Sequence, residues 1–222
     1  MRKIHAYDLV IFDCDGTLVD TEVITAEILV QMMEEIGIPM THEECEQHFI
    51  GKNMDAITTH IQSQLPSNAS FDPLTFEKDY RQRMKIKCEE ALVPLPGAMD
   101  LVESVPCETC IASNGPREKM KVTLAITGLD TFFPEEKVFS AYDRKIWKPD
   151  PDLFISTAEN FNIPPEKCLV IEDTIHGVIA AQKAGMDVVA VNAHNHKDEI
   201  EASETPLFSD LFQVKEYLFD SE

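Results

Sequence analysis

The run Asp8-Leu-Val-Ile-Phe-Asp-Cys-Asp-Gly-Thr-Leu-Val-Asp20 constrains this chain more than any other stretch. Leu9 to Phe12 are apolar and partly β-branched, the composition of a strand buried on both faces. Asp13-Cys14-Asp15-Gly16-Thr17 then breaks that character at once. Two carboxylates one residue apart at the end of a buried strand repel each other and lose solvent, and both effects are costly. A divalent cation removes that cost, because hard Mg²⁺ takes carboxylate and carbonyl oxygens. Gly16 allows a sharp turn, and Thr17 offers a hydroxyl and an amide to an anion. The plainer reading of the same residues is a strand followed by an acidic turn.

Past Asp20 the chain reads as helical for about seventy residues. Ile24, Ile28, Met32 and Ile36 form a helical stripe that ends at Gly37. Thr41-His-Glu-Glu44 is a capping-box pattern for a second helix reaching about Phe49. Gly51-Lys52 interrupts, Met54 to Leu65 continues as helix, and Asp72-Pro73 caps another that runs towards Cys88. Pro94-Leu-Pro-Gly97 closes the block. Beyond it, helices alternate with short strands at 109–112, 138–140, 168–171 and 187–191, the pattern of βαβ units. The expected fold is α/β, a Rossmann-like parallel sheet with helices on both faces. Residues 1–20 and 95–222 would form this core, and 21–94 an inserted all-helical cap. The acidic residues near the C-terminus read as solvated surface or tail.

Charge and cysteines narrow the function. With 40 acidic against 19 basic residues the formal net charge is −21, a field that repels nucleic acid and anionic membranes. The same field repels a small phosphorylated substrate, which would need positive charge gathered locally by a metal and a few lysines. No signal peptide or membrane span is visible, so a cytoplasmic protein with reduced thiols is expected. Cys107-Glu-Thr-Cys110 has redox spacing, but Cys110 falls within an apolar strand rather than at a helix N-terminus. His194-Asn-His196 has metal-ligand residues but no evident third ligand and reads as a surface loop, His176 fits either the border of the site or helix-start packing, and Trp147 reads as a rim residue.

The remaining polar clusters stand at the carboxyl ends of strands, where ligands bind in open parallel sheets. The first strand ends in Asp13 and Asp15, the next in Ser113-Asn114, and a later one in Glu172-Asp173; Lys148 follows a third. A metal and an ammonium beside a hydroxyl and an amide make a complement for phosphate.

Asp13-Cys-Asp-Gly-Thr17, Ser113-Asn-Gly115, Lys148-Pro-Asp-Pro151 and Glu172-Asp173 resemble the four motifs of the haloacid dehalogenase superfamily. The resemblance covers nearly the whole chain and is to the phosphatase and phosphomutase branch with a helical cap. It implies that Asp13 is the nucleophile forming an aspartyl-phosphate and that Asp15 is the general acid and then base. Asp13, the Asp15 carbonyl and Asp173 would hold Mg²⁺, with Glu172 a ligand or a supporting partner. Ser113 and Lys148 would steady the transferring phosphoryl group, Lys148 pairing also with Asp13. Thr17 and Asn114 would complete the phosphate cup. In the cap, Gly51 and Lys52 would approach the substrate. A metal-free dehalogenase lacks the second aspartate, so Asp15 points to phosphoryl transfer. The implied reaction is hydrolysis of a sugar phosphate or a sugar-acid phosphate such as 6-phosphogluconate, by a monomer or weak homodimer. A β-phosphoglucomutase-like phosphomutase and a non-catalytic binding protein on the same fold are the alternatives.

Overall fold

The computed structural model describes residues 2–49, 52, 54–66, 69–191 and 197–219. They form two compact units, Met1–Asp20 with Val93–Glu222, and Thr21–Leu92. The first unit resumes at Val93 rather than at residue 95. Pro94 bridges Val19, and the Leu95 amide donates to the Leu18 carbonyl, which ties this segment to the end of the first strand loop.

The first unit begins with β1 (Leu9–Phe12), whose four residues are wholly buried. The second unit follows as α1 (Glu22–Glu35), α2 (His42–His48), α3 (Met54–Gln64) and α4 (Pro73–Ala91). Its starts are the capped ones that the residues dictate. Thr41 accepts from the Glu44 amide while Glu44 accepts from the Thr41 amide at 2.8 Å, and Asp72 accepts from the Leu74 and Thr75 amides ahead of Pro73. Ile24, Ile28 and Met32 are buried as the stripe requires, with Leu29, Met33, Phe49 and Ile61 completing that unit's own core.

The chain then runs through α5 (Ala98–Ser104), β2 (Glu108–Ser113), α6 (Arg117–Thr127), β3 (Val138–Ser140), α7 (Ala141–Arg144) and α8 (Asp152–Asn160). It ends with β4 (Cys168–Glu172), α9 (Ile175–Lys183), β5 (Asp187–Val191), α10 (Lys197–Ala202), β6 (Leu207–Phe208) and α11 (Leu211–Phe219). The strands make one sheet in the order β3-β2-β1-β4-β5-β6, every pair parallel, flanked by helices. The acidic residues Glu199, Glu201, Glu204 and Glu216 are exposed, while apolar residues of the same stretch pack inward. Leu211, Val214 and Leu218 bury an apolar stripe of α11, and β6 extends the sheet beside β5. A two-residue strand is too short to carry a period, which is why local pattern misses it.

The chain order reverses at β1, with β2 on one side and β4 on the other, so the crevice for a ligand lies at its carboxyl end. Among the described residues no helix is long and apolar enough to cross a membrane. All six cysteines are free; Cys110 lies in β2, and burial pushes the Cys107 thiol up to about 11 and holds that of Cys110 well above its ordinary value. Thiols so hard to ionise are poor redox centres.

Candidate active site

The ladder between β1 and β4 continues one bond past β1, the Asp13 amide donating to the Ile171 carbonyl at 2.9 Å. That bond sets Asp13 beside Glu172, and the polar side chains of the two strand ends meet. Lys148 Nζ lies 2.5 Å from Asp13 Oδ1 and 2.5 Å from Glu172 Oε1, with all three side chains more than nine-tenths buried. Its ammonium also stands 4.9 Å from the centre of the Phe154 ring.

One cation thus serves two buried carboxylates. Burial works to discharge Lys148, but Asp13 and Glu172 outweigh it and hold the ammonium above its ordinary pKa. Asp13 is left short of compensation. Burial, opposed by Lys148 and reinforced by Glu172 and Asp15, raises its carboxyl to about 6. Cys14 beside it is no competing nucleophile, because burial pushes that thiol far up.

Glu172 is committed on both oxygens. Oε1 takes Lys148, and Oε2 accepts from the Asp173 and Thr174 amides at 2.8 Å and from Thr174 Oγ1 at 3.0 Å. Gly177 is what permits this: a Cβ there would fall 1.9 Å from Glu172 Cδ and Oε1. Gly16, with a φ of +89°, plays a similar part for Asp173, whose Oδ2 would lie 2.1 Å from a Cβ. The Asp173 carboxylate therefore rests against the main chain of the Asp13–Thr17 loop. Thr17 is buried, and its hydroxyl donates to Asp173 Oδ1 at 3.2 Å, so it orients that carboxylate.

Asn114, expected as a donor to phosphate, clamps the Lys148 peptide. Its Oδ1 accepts from the Lys148 amide at 2.9 Å and its Nδ2 donates to the Lys148 carbonyl at 3.4 Å. Ser113 is buried at the end of β2 and accepts from the Gly115 amide at 3.2 Å. Asp15 pairs through Oδ2 with Lys119, a partner that motif spacing does not reveal. A signal existed: Lys119 is the third residue of α6, where the helix dipole disfavours a cation.

Lys52 belongs to the second unit, where it lines a 470 Å³ surface cavity with His48, Asp55 and His60. Gly51, His194 and His196 lie outside the described residues. Trp147 is 42% exposed and packs edge-on against Tyr142 at 5.6 Å.

Among the described residues no group of three His, Cys, Asp or Glu side chains could cage an ion unaided. The donor set still fits a hard divalent cation. The Asp13 and Asp173 carboxylates and the Asp15 carbonyl would offer the sparse oxygen set that a hard divalent cation completes with water. A raised Asp13 beside Glu172 and Asp15 is the charge imbalance such an ion corrects.

Residues 10–191 match the family model described as haloacid dehalogenase-like hydrolase. The 6-phosphogluconate phosphatase of Escherichia coli K12 is 33% identical over 216 residues, covering 97% of this chain and 95% of the relative. A phosphorylated carbohydrates phosphatase of Thermotoga maritima is 29% identical over 194 residues, covering 86% and 88%. Among solved structures, a HAD family hydrolase of Deinococcus radiodurans with bound phosphate and sodium superposes with a TM-score of 0.79 at 23% identity, covering 96% and 95%. That last likeness concerns the fold alone.

Proposed function

The chain belongs to the haloacid dehalogenase-like hydrolases, and from that premise we propose that it hydrolyses the phosphomonoester of a sugar phosphate, with Mg²⁺, through Asp13. The finer reading is a sugar-acid phosphate such as 6-phosphogluconate. The observation that carries the proposal is the buried Lys148 shared at 2.5 Å between Asp13 and Glu172. The ammonium keeps Asp13 oriented and supplies positive charge to an incoming phosphoryl group in a chain of net charge −21.

In the first half-reaction an Asp13 carboxylate oxygen attacks phosphorus as the bond to the leaving oxygen breaks, and the Asp15 carboxyl gives that oxygen its proton. In the second, the Asp15 carboxylate takes a proton from water. The hydroxide oxygen bonds to phosphorus, the phosphorus–Asp13 bond breaks, and inorganic phosphate leaves with Asp13 regenerated. Asp13, the Asp15 carbonyl and Asp173 would hold Mg²⁺, which supplies neutralisation of the charge spread over the phosphoryl oxygens. Glu172 holds Lys148, Thr17 orients Asp173, Asn114 holds the Lys148 peptide, and Ser113 stands ready to donate to a phosphoryl oxygen.

Similarity to the E. coli relative supports the sugar-acid choice. The test is phosphate release with Mg²⁺ across 6-phosphogluconate, hexose phosphates, nucleotides and phosphorylated three-carbon acids. The highest kcat/KM is expected for 6-phosphogluconate, and a preference for hexose phosphates would overturn the finer reading. No phosphate from any monoester would overturn the whole. A coupled assay for sugar-phosphate isomerisation with a bisphosphate primer separates hydrolysis from mutase chemistry, and no isomerisation is expected.

A further inference from the structure

Asp15 must keep one orientation through two proton transfers, yet it sits on a loop and its side chain is 28% exposed. A short carboxylate so placed swivels about its own bonds unless something fixes it. Lys119 meets it from α6, 104 residues along the chain, with its ammonium on Asp15 Oδ2. This lysine has little to offer stability. A cation in the first turn of an eleven-residue helix works against the helix dipole, and a partly exposed ion pair returns about as little as that costs. Its position is fixed by the site nonetheless. The helix that carries it starts four residues after Ser113, and Ser113 closes β2 beside β1. The helix after β2 and the loop after β1 are thereby held to each other through Lys119 and Asp15.

We propose that Lys119 is a positioning residue for proton transfer, its ammonium holding the Asp15 carboxylate in the orientation from which it serves the leaving oxygen and then water. The assignment rests on the reading of Asp15 as the acid and base, and it adds a residue outside the four motifs to that machinery. Lys119 itself takes no proton and touches no reacting atom.

The experiment compares leaving groups. Nitrophenolate departs from p-nitrophenyl phosphate without needing a proton, whereas the sugar alkoxide of glucose 6-phosphate or 6-phosphogluconate needs one. For Lys119→Met, kcat/KM on both sugar substrates is expected to fall about 10- to 100-fold, a part of the roughly 10²- to 10⁴-fold that general acid catalysis contributes, while p-nitrophenyl phosphate loses less than about threefold. Lys119→Arg, which keeps the charge and is the second variant should the first not fold, is expected to recover most of the loss. Asp15→Asn, measured alongside, is expected to show the same leaving-group selectivity in larger degree. An equal fall on all three substrates, no change at all, or a loss confined to 6-phosphogluconate would overturn the assignment. The last result would make Lys119 a reader of the substrate carboxylate. A wild-type enzyme silent on every substrate would instead refute the proposed reaction, and the positioning role with it.

Discussion

Replacing Lys148 by Met removes the charge shared by Asp13 and Glu172 while keeping an unbranched side chain to pack on Phe154. Withdrawing one member of a buried ionic cluster costs about 3–5 kcal/mol, because the carboxylates left behind have neither water nor partner. For a chain of this length each kcal/mol moves the melting temperature by about 2–4 °C, so a drop of roughly 6–20 °C is expected at pH 7.5 in EDTA. The pH dependence has a definite sign. Asp13 ionises near 6 in the folded protein and near 4 when unfolded, so between those values the folded state binds more protons. Metal-free stability therefore falls as pH rises through that window. Without the ammonium Asp13 holds its proton still more tightly, and the variant's deficit widens above pH 6. At pH 5, where the Asp13 carboxyl is protonated, the deficit narrows. Thermal melts of both proteins at the two pH values settle the matter. A deficit below 2 °C, or one equal at pH 5 and 7.5, would show that Lys148 is not compensating two buried charges.

Three other outcomes are expected of the same site. Asp13→Asn removes one of the two carboxylates competing for Lys148, so activity falls by about 10⁴-fold or more while the metal-free melting temperature at pH 7.5 holds or rises; a fall of several degrees contradicts the charge argument. Gly177→Ala drives a methyl into Glu172, breaks its hold on Lys148 and the Thr174 segment, and lowers kcat about 100-fold in phosphate-release assays. Chelation with EDTA abolishes activity and Mg²⁺ restores it. At 100 times its dissociation constant Mg²⁺ raises the wild-type melting temperature by about 5–10 °C but leaves Asp13→Asn nearly unmoved; equal shifts in both would separate the metal from Asp13.

Much of this architecture was legible residue by residue. The Thr41–Glu44 box and the Asp72-Pro73 start are local devices, and they formed where they stand because each closes its own amides within one turn. Strand β1 could be placed because four apolar residues bounded by aspartates have few other options. The edge was harder. Strand β6 exists only because β5 is there to pair with it, and no pattern of two residues announces that.

The site divides in the same way. Composition and spacing determined that acids, a hydroxyl, an amide and an ammonium would gather at the carboxyl ends of parallel strands, since strand ends in such a sheet converge whatever the intervening helices do. Only the tertiary structure decided who touches whom. It gave Lys148 two carboxylates rather than one, and set Asn114 against the Lys148 peptide and Thr17 against Asp173. It also closed both oxygens of Glu172 and brought Lys119 to Asp15. Such pairings depend on strand register and on the space Gly16 leaves for Asp173, and these are properties of neighbours far away in the chain.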